Sequence, residues 1–340
     1  MKKTQNLISI YLLVIFVFIA AATTLRTIAF LNDYNHYTGY FEDQTLIGVA
    51  NWLILIGCIF SASALMMHKQ MPKFKPSFQT PLVYIPAGAV SVALAFLAGS
   101  KAYMAFTLNG MNVSSPTLAG DRIFLFVIAV FALVSIAYFM FSHIEEHHRS
   151  PERGALGLVL TAFFALCAAQ TYFTQNVPIN SQIKAADQIA FAFVAVFFLF
   201  ESRLSLDRDI WSGYVAFGGI AASLAAYSAI PSIIYYFVNT REASSISESV
   251  LFLTVFALII ARLILLLKLP EDKMCETAEA ALLMARTRHA QIEAAKNVRA
   301  HAILNNEENA EESVREDNSD DNYTINLDQI DITNIENGDI

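Results

Sequence analysis

Charge is what this chain lacks most: only 15% of its 340 residues are Asp, Glu, Lys or Arg, against 56% hydrophobic, and the mean hydropathy is +0.48. An average soluble domain carries about 25% charged residues, so an ordinary soluble fold is excluded. Cysteine is also sparse. Cys58, Cys167 and Cys275 form no CxxC pair and no metal-type spacing, which excludes a disulfide framework and leaves packing thiols. Gly-rich phosphate loops, nucleophile elbows and dinucleotide fingerprints are missing, so the sequence implies no cofactor and no nucleic-acid partner.

The little charge there is sits unevenly. Residues 305–340 hold twelve Asp or Glu and a single Arg, a net of −11, so the formal −8 of the whole chain hides a net of +3 over residues 1–304. An acidic segment with so little apolar surface cannot form a core, and 305–340 reads as a largely disordered tail. The stretch 270–304 is Ala-rich with a modest apolar stripe through Met274, Ala278, Leu282 and Ala285, and reads as a cytosolic amphipathic helix. Together 270–340 offers a surface for a cytosolic protein partner.

What remains, residues 1–269, is a series of long apolar runs. A spanning helix needs about 20 mostly apolar residues, and eight runs qualify: 7–31, 45–67, 82–106, 122–143, 155–174, 186–206, 211–237 and 248–268. The fold class is therefore an all-α polytopic membrane protein with the lipid bilayer as its principal solvent. Residues 1–22 imitate a secretory signal, with Lys2 and Lys3, an apolar run and Ala20 to Ala22, yet the run continues through Leu31. Basic residues concentrate in alternate connections (Lys69, Lys73, Lys75; Arg149, Arg153; Arg208; Lys268, Lys273), while the others hold only Lys184 and Arg241. By the positive-inside rule this places both termini in the cytoplasm, in a cell membrane.

The even runs open on acids, Asp43, Asp121, Asp187 and Glu248, at spacings of 61 to 78 residues. Each acid lies 17 or 20 residues after a polar or proline position ending the preceding odd run: Arg26, Lys101, Gln170 and Pro231. That near-constant spacing predicts four tandem helical hairpins entering from the same side, parallel repeats about an axis along the membrane normal. Pro231 and Gly218-Gly219 predict weak points in the seventh helix.

Ionisable groups inside spanning segments are costly and need a reason. Arg26 and Lys101 occupy matching repeat positions, where snorkelling to the interface competes with a cationic pair that, joined by Gln170, recognises an anionic or zwitterionic group. Glu201 lies fourteen residues after Asp187, and Arg262 fourteen after Glu248, so at a 1.5 Å rise both sit about 21 Å from their helix starts. Equal depth and opposite charge predict a pair, against independent snorkelling. The matching positions Gly57 and Ser135 leave room beside them. Residues 143 to 147 also match H-x-x-E-H, which would put His143 and His147 on one helix face as metal ligands with Glu146 as base; a charged membrane-boundary cluster is the plainer reading.

The binding residues expected on these grounds are Arg26, Lys101, Gln170, Glu201 and Arg262, with His143, Glu146 and His147 as weak metal candidates. They favour a transporter- or permease-like bundle for a small anionic or zwitterionic solute. The rival is a membrane sensor or assembly scaffold acting through the cytosolic helix and tail. A membrane-embedded metal-dependent enzyme comes third.

Overall fold

A computed structural model describes residues 2–35, 38–70, 81–110, 116–144, 151–173, 181–205, 211–239 and 246–265. They form eight helices: α1 (Lys2–Asn32), α2 (Thr45–Ala62), α3 (Pro81–Gly110), α4 (Pro116–Ile144), α5 (Pro151–Phe173), α6 (Gln182–Ser205), α7 (Trp211–Val238) and α8 (Ile246–Leu265). Two short strands, β1 (Tyr34–Asn35) and β2 (Tyr40–Phe41), pair antiparallel between α1 and α2, and Gly39 supplies the positive φ of 72° their turn needs. Residues 270–340 lie outside the described residues.

All eight helices contain a stretch long and apolar enough to cross a membrane, from Ser9–Asn32 in α1 to Ile246–Leu265 in α8. Their outward surfaces are apolar as well: Leu13, Trp52, Val92, Ile123 and Phe237 are each more than 60% exposed. In water such a surface would aggregate; against lipid tails it is neutral. The protein is a multi-pass integral membrane protein.

Successive helices pack side by side from α3 through α8, and α3 closes on α8, giving a ring of six. The α1 and α2 pair docks on α7. Contacts between distant residues set the directions. Tyr11, near the start of α1, donates a hydrogen bond to the carbonyls of Ser61 at the end of α2 and Val215 at the start of α7. At the opposite end Ser100 of α3 bonds Ser247 at the start of α8. One end of the bundle, the odd end, is thus where α1, α5 and α7 begin; the other, the even end, is where α2, α6 and α8 begin.

Helix α7 is the centre of this arrangement: 78% of its apolar window is buried, against 28 to 56% in the other helices. Its sequence explains the position. Small residues let neighbouring backbones approach where lipid gives no hydrophobic drive between helices, and α7 carries Gly218, Gly219, Ala221, Ala222, Ala225 and Ala226. A methyl group on Gly219 would meet the Tyr11 hydroxyl at 2.7 Å and Ile15 Cδ1 at 3.0 Å, and one on Gly218 would meet Phe197 at 3.3 Å. The glycine pair is therefore a close-approach point for α1 on one side and α6 on the other, not the weak point expected of it. Helix α7 also runs unbroken through Pro231. Between α5, α6 and α8 the interior is filled by rings, with Phe164 stacked on Phe198 at 5.3 Å and Phe191 against Phe252 at 4.2 Å.

Candidate functional site: two buried charge layers

Charged side chains buried inside the bundle collect at two depths, with the aromatic packing between them. The separation follows from helix geometry: Asp187 to Glu201 on α6 and Glu248 to Arg262 on α8 are both fourteen residues, about 21 Å at 1.5 Å per residue.

The odd-end layer is an ionic triad. Glu201 Oε1 accepts a hydrogen bond from Arg262 Nη2, and Arg153 Nη2 lies 3.5 Å from the same oxygen. The three side chains are at most 2% exposed. Tyr214 of α7 faces both Glu201 and Arg262, and the Arg153 guanidinium lies 5.9 Å from the Tyr138 ring of α4. Five helices meet there. Close packing of α5 on α6 depends on Gly157, where an added methyl would fall 2.2 Å from Ser202 Oγ. Snorkelling is thereby replaced by mutual neutralisation for Glu201 and Arg262, and the room expected beside Gly57 is occupied, because a methyl group added there would meet Phe18 Cβ at 3.0 Å.

The even-end layer brings together Arg26, Lys101, Asp187 and Glu248 from four helices, and Lys184, 6% exposed, lies one turn before Asp187 on α6. Lys101 of α3 forms a salt bridge with Glu248 of α8, beside the Ser100 and Ser247 hydroxyl pair. Cys167 of α5 lies within electrostatic range of that pair, and Gln170 follows it by three residues on the same helix, half-buried. Asp187 of α6 accepts a hydrogen bond from the Ser228 hydroxyl of α7 and lies within range of both Arg26 and Glu248. Arg26 is 1% exposed, with its guanidinium carbon 4.2 Å above the Tyr227 ring and 5.4 Å from that of Phe30. Tyr227 in turn donates its hydroxyl hydrogen to Asn51 Oδ1 of α2 at 2.5 Å. One turn beyond Arg26 an apolar cap of Phe30, Tyr34, Phe41, Tyr235 and Ile183 closes the end. Burial there holds the Tyr34 phenol above its ordinary pKa.

Arg26 and Lys101 consequently do not make the cationic pair that their matching positions suggest; each has its own surroundings, and Lys101 is neutralised by an acid from another helix. Neither snorkels, being 1% and 3% exposed. Asp187 and Glu248, read from the sequence as helix-start acids, are part of the layer. For Asp187 the cause is local: α6 begins at Gln182, a turn earlier than hydropathy alone indicates, so the carboxylate falls within the helix. The sequence pattern puts Arg153 in a connection, but α5 begins at Pro151 and carries it into the bundle.

The energetics single out Arg26. A charged side chain at the centre of a spanning helix costs about 2.5–3.5 kcal/mol on insertion scales, which sets the upper bound for Arg26, six residues from the end of its span, and a desolvated cation–π contact returns about 2 kcal/mol. Among the described residues Nε and Nη1 of Arg26 have no hydrogen-bond partner, and each unmet buried donor costs about a further 1–3 kcal/mol. Among the described residues no carboxylate lies within salt-bridge distance of it, so its burial is not offset as Lys101's is.

Comparison with known protein families, curated proteins and solved structures finds no match. Function is therefore argued from the two layers alone. The metal candidates do not contribute, since the His143 side chain and all of Glu146 and His147 lie outside the described residues. Among the described residues no three His, Cys, Asp or Glu side chains cluster in a way that could hold a metal ion.

Proposed function

We propose that the protein is a permease-like membrane bundle that binds a small anionic or zwitterionic solute in the even-end layer. The observation that carries the reading is the convergence of Arg26, Lys101, Asp187 and Glu248 from four different helices into a region that lipid and packed rings surround. Apolar residues would pack there at lower cost, and intramembrane ionisable groups of this kind characteristically mark solute or ion pathways. Glu201, Arg262 and Arg153 then form the seal of the other end, and α7, with both layers against it, is the element whose movement would open one end or the other. Both termini lie in the cytoplasm of a cell membrane, so the even end faces outward. Four parallel hairpins account for the equal depths of the layers in different helices, as the spacing of Arg26, Lys101, Gln170 and Pro231 to the next acid suggests.

Uptake into proteoliposomes tests this directly. Flux of small carboxylates or zwitterions that is lost in Arg26→Gln supports it. Absence of flux across such a panel in well-folded protein overturns it.

A second reading draws on the solid packing between the layers: an interior stacked as tightly as Phe164 on Phe198 suits a sensor or assembly scaffold that reports through residues 270–340. A partner captured by the full-length chain and lost on deleting 270–340, together with no flux, would favour it.

A further inference from the structure

The even-end layer contains charges of both signs at unequal states of completion, and that inequality says what it would take. Lys101 and Glu248 satisfy one another. Arg26 and Asp187 do not: they lie within electrostatic range without a salt bridge, one on α1 and the other on α6, with Tyr227 and Ser228 of α7 between their attachments.

Arg26 presents free donors. Tyr227 stacks on the guanidinium, and around its rim Nε and Nη1, which point to different sides, have no hydrogen-bond partner among the described residues. Each such N–H can donate a charge-assisted hydrogen bond to a carboxylate oxygen. Asp187 presents acceptors. It takes one hydrogen bond from Ser228, while an ionised carboxylate has about four acceptor positions. On the adjoining turn Pro231 has no N–H to give the Tyr227 carbonyl, which leaves a backbone acceptor without its helical donor. Such acceptors match an ammonium group.

Neither half works alone. A simple anion on Arg26 would face Asp187 and, behind it, Glu248; a simple cation on Asp187 would face Arg26. A ligand that is itself neutral overall adds no net charge to a poorly hydrated region, where an unbalanced charge is most costly.

We propose that Arg26 and Asp187 bind an amino-acid-like zwitterion, its carboxylate on the Arg26 guanidinium and its ammonium on Asp187. This deepens the permease reading and rests on the same layer, but it is a statement about binding and is tested without flux.

Equilibrium dialysis of the full-length protein in lipid nanodiscs, with radiolabelled neutral amino acids as the probe, reads it. Propionate and ethylamine serve as competitors that carry only the carboxylate or only the ammonium of alanine. The expected result is saturable binding of at least one amino acid, with propionate and ethylamine each competing at least tenfold less well. Arg26→Gln and Asp187→Asn should each weaken it tenfold or more, and Arg26→Lys, which keeps the charge but not the planar edge, should weaken it less than Arg26→Gln. Size-exclusion profile and thermal midpoint confirm folding of each variant, with Gly88→Ala as a control, since nothing lies within 4 Å of a methyl group there. Should Arg26→Gln fail to fold, Arg26→Lys and Asp187→Asn decide the matter.

Binding that propionate or chloride displaces as well as alanine, binding indifferent to Asp187, or no binding of any amino acid would each overturn the inference. Amino-acid binding without flux would instead leave it standing and remove the permease reading. Flux of a simple anion without zwitterion binding would do the reverse.

Discussion

Glu201 and Arg262 stand at the same fourteen-residue offset on α6 and α8 and are hydrogen-bonded to each other, with Arg153 of α5 held 3.5 Å from the same carboxylate oxygen. One carboxylate thus serves two guanidinium groups in a region at most 2% exposed. The triad is asymmetric, so its members should not be equivalent under mutation.

Removing Glu201 leaves two cations facing each other, whereas removing Arg262 leaves Arg153 to hold the acid. Losing one partner of a buried pair costs about 3–5 kcal/mol in soluble proteins, and polar contacts between membrane helices are worth about 0.6 to 1.7 kcal/mol. Glu201→Gln is therefore expected to cost about 2 kcal/mol and Arg262→Gln clearly less, with the double variant recovering part of the sum. Thermal unfolding in detergent measures all three. Strictly additive losses would show that the side chains act independently.

The eight spans and the depth of this pair were legible in the sequence because both depend on local quantities, the length of an apolar run and the rise of a helix. Glu201 and Arg262 declared themselves by equal offset and opposite sign. Arg153 did not, since nothing local says whether a cation at a helix start turns to water or folds inward, and that depends on where α5 begins and on Gly157 admitting α6. The stacking of Arg26 on Tyr227 joins residues on α1 and α7 that no spacing rule connects. Gly57, read as open space, is closed by Phe18 from α1 for the same reason: which helix lies alongside is a tertiary fact.

Gly219 provides a sharp packing test. Gly→Ala within a helix normally stabilises by about 0.5–1 kcal/mol, and Gly88, with no atom within 4 Å of a new methyl, should follow that rule. At Gly219 the methyl would displace the Tyr11 hydroxyl from its bonds to the Ser61 and Val215 carbonyls and press on Ile15. Overpacking costs about 1–3 kcal/mol, so Gly219→Ala should lower the thermal midpoint where Gly88→Ala raises or preserves it. Equal responses at the two sites would mean that α1 shifts freely on α7.

At the start of α2, Asp43 Oδ1 accepts the backbone N–H of Thr45 at 2.8 Å, and this hydrogen bond holds the carboxyl below its usual pKa range. A depressed folded-state value contributes stability that is present above the ordinary carboxylate pKa and lost as pH falls through the lowered one. Protection of the Thr45 amide against exchange, taken relative to its intrinsic rate at each pH, should accordingly be present near neutral pH and fall in acid. Asp43→Ala should abolish that extra pH dependence while leaving the midpoint of the bundle almost unchanged, because the group is fully exposed.

The orientation proposed for the bundle can be tested through its connections. Single cysteines placed in 32–44, 107–120, 175–185 and 238–247 should react with a membrane-impermeant thiol reagent added to intact cells, and one placed in 68–80 should react only after the membrane is opened. Native Cys58, Cys167 and Cys275 are first replaced by alanine or serine, so that only the introduced thiol can react. The distribution of Lys69, Lys73 and Lys75 against Lys184 and Arg241 drives this expectation, since translocation discriminates against basic residues in short loops. Labelling of 68–80 from outside would invert the protein in the membrane. It would then turn the Arg26 layer toward the cytoplasm and the Glu201 triad outward, so that a solute entering from outside would meet the ionic seal first.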